Sequence, residues 1–458
     1  MGMREASDAQ SMETATEQIA PGSDVLPELS PFQEYYLSPD RRGAAADNLV
    51  MAFRLGGRVD VDALDDAVHQ LVARHSLLRT RFQVSAIRQV RALTCSSAAA
   101  SIDVVDEPGL SAGERAARVE HWFYAIEERL LDLFVDVPFG CTRLTFSCDD
   151  HALILSVHHV SADGWSLRVL LRDLAELYKA GVERRVPALP ELTVDFSEYA
   201  AWHKAHLRDG QFAAAVAYWR KQLAGAPTGL ALATSDMSSS DGLENIHFAI
   251  DDATTLRLRS ACRTHRVTPF MALVAAFQFS LAHLSRKDDV AIYTLLANRI
   301  YPGSENLVGP FMNPTVIRSR VGLAVTFGDL LRETRDVLVA GLHYQDVPYW
   351  QLRLKVPELD RIHNAPLPQA VFNLSQGPLS MDLAPHVACT NIRLPGRRMR
   401  TGLRLDVAEA AGGLAGHLQF KPGIFAQATV AAIARQLRRT LEVVARDPEI
   451  ALSRLGAP

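Results

Sequence analysis

The sequence predicts a mixed α/β fold, in which buried strands and amphipathic helices are built from one chain. Residues 152–157 form an apolar run that is too short for a helix and has the length of a buried strand. A polar turn follows, and apolar side chains then recur at helical spacing from Leu167 to Tyr178. A second apolar stripe at helical spacing runs from Leu64 to Val72. At 458 residues, the chain is long enough for two or three domains.

The composition is that of an ordinary globular protein with ample core. Hydrophobic residues make up 48% of the chain and charged residues 22%, and the formal net charge is −4. Because there is no basic stripe with interleaved aromatic residues, a nucleic-acid-binding function is disfavoured. No apolar run has the length of a membrane span, and the polar first 22 residues do not form a signal peptide. We therefore expect a cytoplasmic protein, without a membrane partner, that begins with a disordered leader over residues 1–27.

The five cysteines are odd in number, scattered and without a CxxC spacing. This usage is typical of a reducing compartment and favours neither a disulfide framework nor a zinc site. We expect no metal and no bound cofactor.

The turn after the predicted strand reads His158-His159-Val160-Ser161-Ala162-Asp163-Gly164. Successive strand side chains point to opposite faces, so one histidine is presented while the other is structural, and the two do not converge on one metal ion. A buried Asp163 needs a cationic partner, because an isolated buried carboxylate becomes protonated instead. Gly164 permits a backbone conformation or a close approach that a side chain would obstruct. The alternative interpretation is a satisfied core histidine beside a helix-capping aspartate.

This turn, continued by Trp165-Ser166-Leu167, closely resembles the active-site signature of the condensation domains of nonribosomal peptide synthetases. These domains belong to a superfamily of acyltransferases that includes chloramphenicol acetyltransferase. Further segments resemble the family's other motifs in the family's order: residues 30–33, 74–82, 195–202, 218–223, 308–313 with Arg318, 344–349, 364–369 and 371–373. This chain departs from the family pattern at Phe32, Pro314 and Trp350.

The resemblance implies two chloramphenicol acetyltransferase-like lobes in a V arrangement with a central tunnel. We expect an N-terminal lobe over residues 28–190 and a C-terminal lobe with crossover elements over residues 191–458. Because the sequence contains no adenylation core, carrier-protein serine motif or thioesterase elbow, it predicts a free-standing condensation enzyme or an excised domain.

The resemblance also implies roles for individual residues. His159 would face the tunnel and act as a base or a positioning group, while His158 would hold the turn by hydrogen bonds. Arg318 would supply the cation that Asp163 requires, and the backbone near Gly164 would support an oxyanion. The remaining site residues predicted are candidates for the lining of the tunnel: Trp165, Ser161 and Asn313.

The implied reaction is transfer of an acyl or aminoacyl group from a carrier-protein 4'-phosphopantetheine thioester to an amine or an alcohol. The expected partners are a donor carrier protein and either an acceptor carrier protein or a small-molecule nucleophile. We expect this chain to act as a monomer. Three alternatives stay open: a coenzyme-A-dependent acyltransferase of the same superfamily, an epimerization domain, and a non-catalytic domain that recruits carriers or other partners.

Overall fold

A computed structural model describes residues 23–26, 28–38, 47–84, 90–95, 102–232, 242–364, 370–375, 377, 379–397, 399, 402–410 and 412–456. Residues 1–22 and 27 of the predicted leader, which was expected over 1–27, and the motif residues 365–369 lie outside these ranges. Ser23–Leu26, which the sequence analysis assigned to the leader, instead forms a strand that pairs antiparallel with Val90–Cys95.

The structure confirms the predicted mixed α/β fold. The strands in chain order are β1 (Ser23–Leu26), β2 (Asn48–Gly56), β3 (Thr80–Val84), β4 (Val90–Cys95), β5 (Ile102–Asp106), β6 (Phe139–Ser147), β7 (Asp150–His158), β8 (Glu244–Asp251), β9 (Val290–Leu296), β10 (Asn313–Ser319), β11 (Ala370–Ser375), β12 (Ala388–Ile392), β13 (Leu403–Ala410) and β14 (Gly413–Phe420). The α-helices are α1 (Pro31–Tyr36), α2 (Val61–Arg74), α3 (Ala112–Glu128), α4 (Gly164–Glu183), α5 (Phe196–His206), α6 (Phe212–Leu223), α7 (Asp252–His265), α8 (Pro269–Ser285), α9 (Phe327–Leu342), α10 (Tyr349–Arg353), α11 (Pro357–His363), α12 (Gln427–Val444) and α13 (Leu452–Leu455).

The chain divides into two compact units, and the first is assembled from three separate stretches. It contains the described residues up to Ala205, together with Arg299–Phe311 and Leu379–Leu394. Its boundary lies beyond the predicted residue 190, because α5 packs Phe196 and Tyr199 into one cluster with Phe311. The second unit takes the rest of the described chain.

The first unit is built around a five-stranded sheet with the order β12-β2-β7-β6-β5, beside a three-stranded sheet with the order β1-β4-β3. Strand β7 pairs with both β2 and β6 and is central in the larger sheet. Its side chains alternate between two cores: Leu153 and Leu155 join the cluster that contains α2 and α4, while Ala152 and Ile154 join the cluster that contains α3. Burial on both faces explains why residues 152–155 are all apolar instead of alternating with polar residues.

The second unit contains a six-stranded sheet with the order β10-β9-β11-β13-β14-β8. Its largest core includes the strongly apolar α8 and the inner face of α12. Within the described part of the chain, no single helix is long and apolar enough to cross a membrane; α7 and α8 together pass on length and composition but are bent by 100° at their junction.

Candidate active site

The end of β7 places His158 inside the first unit. Its side chain is buried, and Nδ1 accepts a hydrogen bond from the Val160 N–H at 3.1 Å. Because Nδ1 accepts, the neutral ring carries its proton on Nε2. Burial lowers the pKa of His158 to about 4, against the opposing effect of the Asp47 carboxylate. As a neutral imidazole, His158 therefore holds the turn through its hydrogen bond with the Val160 N–H.

The next residue, His159, has the opposite tautomer. Its Nδ1 lies 2.9 Å from the Ala162 carbonyl oxygen. A carbonyl oxygen only accepts, so Nδ1 carries the proton and the lone pair of the neutral ring is on Nε2. Among the described residues, no protein atom forms a hydrogen bond with this Nε2. Burial is the largest effect and lowers the pKa of His159, whereas the carboxylates of Asp163 and Asp47 act in the opposite direction.

Two aromatic rings of α1 contact the imidazole of His159. The centroids of the Phe32 and Tyr36 rings each lie 5.9 Å from it, and the Tyr36 ring is nearly parallel to it, with an interplanar angle of 26°. Helix α1 is fixed by a capping box between Ser30 and Gln33. This motif, which the sequence analysis treated as a family element, thus lies directly against the candidate base.

Asp163 caps α4 and is buried in a set of donors. Its Oδ1 accepts from the Ser166 N–H and hydroxyl, both at 2.8 Å, and from Nη2 of Arg299 at 3.0 Å. Its Oδ2 accepts from the Phe311 N–H at 3.1 Å. The cation and these N–H and O–H donors satisfy the buried carboxylate, which holds the groups around it in place.

The prediction that Arg318 pairs with Asp163 is wrong. Arg318 forms a bidentate pair with Asp289 in the second unit, with Nη2 2.6 Å from Oδ2. Its Nη1 donates to the carbonyl oxygens of Gln222 and Ala224. These bonds occupy the guanidinium, and the cation that Asp163 requires is Arg299.

Sequence reasoning missed Arg299, Ser166 and Gly309 as parts of this arrangement. Arg299 is buried, and its guanidinium lies over the Phe311 ring at 4.2 Å from the ring centroid. The Ser166 hydroxyl accepts from the Gly309 N–H at 3.1 Å. No pattern in the sequence distinguishes Arg299 from Arg318 as the partner of Asp163.

The other predicted site residues lie in different surroundings. Gly164 is exposed, and a Cβ added to it would meet nothing within 4 Å. The indole N–H of the partly exposed Trp165 donates to the Glu305 carbonyl at 2.9 Å. The hydroxyl of the buried Ser161 has no hydrogen-bond partner among the described residues.

Asn313 lies in the second unit, and its amide is occupied there. Its Nδ2 donates to the carbonyl oxygens of Gln345 and Val347 at 2.8 and 2.7 Å, and its Oδ1 accepts from the Tyr349 N–H at 3.0 Å. The structure thus shows the amide holding the loop before α10.

Metal-ligating side chains do not cluster in the described ranges, where no group of three or more histidine, cysteine, aspartate or glutamate residues could hold a metal ion. The five cysteines are all free thiols. The neutral ring of His159, with its lone pair on Nε2, can accept a proton at that nitrogen.

Comparison with known proteins identifies a family. The family model for the condensation domain matches residues 25–457. The isonitrile lipopeptide synthase of Mycobacterium tuberculosis is 29% identical over 444 residues, which are 92% of this chain and 17% of that protein. The chain thus spans less than a fifth of the length of that relative.

Two solved structures share the fold. The X-domain from teicoplanin biosynthesis superposes with a TM-score of 0.78 at 25% identity, over 96% of this chain and 98% of that one. The complex of the X-domain and OxyB from the same biosynthesis gives 0.77 at 24% identity, over 96% of this chain and 97% of that one.

Proposed function

This chain belongs to the condensation-domain family, and on that premise we propose that it transfers an acyl or aminoacyl group from a carrier-protein phosphopantetheine thioester to an amine or an alcohol. The observation that carries the proposal is the tautomer of His159. Its Nδ1–H is held by the Ala162 carbonyl, so the lone pair lies on Nε2, which has no hydrogen-bond partner among the described residues.

In the proposed reaction, the amine nitrogen or hydroxyl oxygen attacks the thioester carbonyl carbon. Nε2 of His159 accepts the proton of the nucleophile as the new C–N or C–O bond forms. The tetrahedral intermediate then collapses, the C–S bond breaks, and the proton on Nε2 passes to the departing phosphopantetheine sulfur. The products are an amide or an ester and a free thiol, and His159 returns to its neutral form.

The pKa of His159 suits this role. Burial keeps the imidazole neutral near pH 7, and a neutral imidazole is the form that accepts a proton. An alcohol needs this base because a hydroxyl is a weak nucleophile, whereas an amine needs the same nitrogen chiefly for positioning.

The start of α4 supplies a candidate donor for the oxyanion. Gly164 is the first residue of the helix, where backbone N–H groups have no intrahelical acceptor. Its exposure and the free space around its Cα let a carbonyl group approach the backbone. We therefore assign the Gly164 N–H as the oxyanion donor in the proposal.

Acyl transfer is tested with purified protein, an acyl-loaded carrier protein and a panel of amines, alcohols and aminoacyl-loaded carriers, with products followed by mass spectrometry. His159→Ala removes the base, and His69→Ala, an exposed histidine on α2, is the matched control. The proposal requires product with the parent and with His69→Ala, and a loss of about 100-fold or more with His159→Ala. Product from free coenzyme A thioesters, and not from loaded carriers, would overturn the choice of donor.

A second candidate function is partner binding without acyl transfer. It is favoured by the likeness to the X-domain that forms a complex with OxyB. This candidate predicts no product from any donor in the same assay, with binding to a carrier or a second protein retained.

A further inference from the structure

The imidazole of His159 is part of a three-ring cluster. Phe32 and Tyr36 stack on each other with centroids 4.9 Å apart, and each ring lies 5.9 Å from the imidazole. The edge of Tyr36 also meets His158, at 6.0 Å and an interplanar angle of 85°. The candidate base is therefore supported on one side by aromatic carbon instead of water.

The position of these rings is fixed by the local sequence. Phe32 and Tyr36 are four residues apart, so they share one face of α1. The capping box sets the start of the helix, and the Gln33 side-chain amide reaches the Val160 carbonyl at 3.5 Å. Helix α1 is thus tied to the backbone of the turn that carries both histidines.

We propose that Phe32 and Tyr36 are positioning residues for His159: they hold its ring in the orientation that the Ala162 hydrogen bond selects and exclude water from its flank. This inference rests on the proposed function and names two of the residues that prepare its base.

The charges around His159 fix the direction of the expected effect. The carboxylates of Asp163 and Asp47 favour the imidazolium, and the neighbouring ring of His158 is neutral near pH 7. Burial outweighs the carboxylates and lowers the pKa of His159. Removal of an aromatic ring admits water and reduces the burial effect, so the pKa of His159 should rise toward its ordinary value.

The direct test is an NMR titration of the His159 ring in labelled protein, with the signal assigned by its loss in His159→Gln. The variants are Phe32→Leu and Tyr36→Leu, with Tyr36→Phe to restore the ring. Tyr124→Leu, a buried tyrosine of the separate cluster around α3, is the control for loss of an aromatic side chain. The His159 midpoint should move to higher pH in the first two variants and stay at the parent value in the last two.

The titration needs no turnover, so its failure and the failure of the proposed acyl transfer are distinguishable. An unchanged His159 midpoint in folded Phe32→Leu and Tyr36→Leu would overturn the inference even if transfer is observed. Should either variant unfold, Phe32→Tyr and Tyr36→Phe, which retain a ring, must both keep the parent midpoint; a shift in either would overturn the inference equally.

Where transfer is measurable, the kinetic parameters give a second readout. The leucine variants should lower kcat by roughly tenfold to 100-fold, the range of a misplaced general base, and leave KM within about twofold. The acidic limb of the pH–rate profile should move to higher pH together with the NMR midpoint. A general loss of activity with an unmoved profile would indicate a purely structural role and contradict the inference.

Discussion

Asp163 and Arg299 form a buried ion pair with 3.0 Å between Oδ1 and Nη2, and their side chains are 2% and 5% exposed. The same carboxylate caps α4 and accepts the Phe311 N–H, so one aspartate links the histidine turn, a helix and the Arg299–Phe311 stretch. The pair therefore anchors the histidine turn to the Arg299–Phe311 stretch.

Arg299→Ala should leave a buried carboxylate without its cation. Breaking a buried pair by removing one partner costs about 3–5 kcal/mol of unfolding free energy. Urea denaturation of parent and variant measures the difference. A cost below about 1 kcal/mol, the value of an exposed pair, would contradict the burial described here.

A double-mutant cycle separates Arg299 from Arg318. Asp163→Asn combined with Arg299→Ala should show a coupling energy of about 1–3 kcal/mol, because the two side chains are in contact. Asp163→Asn combined with Arg318→Ala should be additive, since Arg318 binds Asp289. Coupling in the second cycle and additivity in the first would restore the pairing expected from the sequence.

Gly164→Ala should separate packing from function. The added Cβ meets nothing within 4 Å, so the free energy of unfolding should stay within about 0.5 kcal/mol of the parent. Under the proposed mechanism, the methyl group occupies space that the thioester carbonyl needs, and kcat/KM for acyl transfer should fall about tenfold or more. Gly113→Ala, at the open start of α3, is the control and should change neither quantity. Full activity in Gly164→Ala would rule out close approach of substrate to this backbone.

Gly309→Ala should have the opposite profile. A Cβ at this position would lie 2.5 Å from Cδ2 of Phe196 and 2.8 Å from Cε2 of Phe311, so the two rings must shift. Overpacking of this kind costs about 1–3 kcal/mol, which a lowered midpoint of urea unfolding would report. An unchanged midpoint would contradict this expectation, because it would show that the Phe196 and Phe311 rings shift without a loss of unfolding free energy.

His158 makes folding depend on pH. Its pKa is about 4 in the folded protein, below its ordinary value of 6.5, so the unfolded chain binds the extra proton between these two values. Stability should therefore be full above pH 6.5 and fall as the pH drops toward 4, by about 3 kcal/mol from this one group. Urea denaturation at several pH values, with His158→Gln alongside, measures the contribution; the variant should have the shallower dependence across this window. Parallel dependences would show that His158 titrates normally.

The local elements were predictable because each depends on neighbouring residues. The strand at 152–157 and the helix after it follow from apolar spacing, and β7 and α4 contain them. The expectation that adjacent histidines have different surroundings also follows from strand geometry. The distinct tautomers of His158 and His159 depend on backbone atoms of the turn and required the structure.

The tertiary partners were not predictable in this way. Arg299 follows β9 and Arg318 lies within β10, and each pairs with an aspartate. Which aspartate each one meets depends on which unit receives its stretch of chain. The strand partner of β2 is a comparable case, since β12 follows it by more than 300 residues.

The three-part construction of the first unit has a consequence for its synthesis. On a ribosome, β7 and α4 emerge long before Arg299 and β12. Arg299 completes the ion pair with Asp163, and β12 completes the edge of the five-stranded sheet. At about 5–20 residues per second, the roughly 190 residues from Ala205 to Leu394 take about 10–40 s to translate. Until Arg299 is made, the nascent chain carries the Asp163 carboxylate without its cation, and until β12 is made, its sheet edge lacks the last strand. A fragment cut after Ala205 would keep both defects permanently, so truncation at the apparent boundary should yield an aggregation-prone polypeptide instead of a working half.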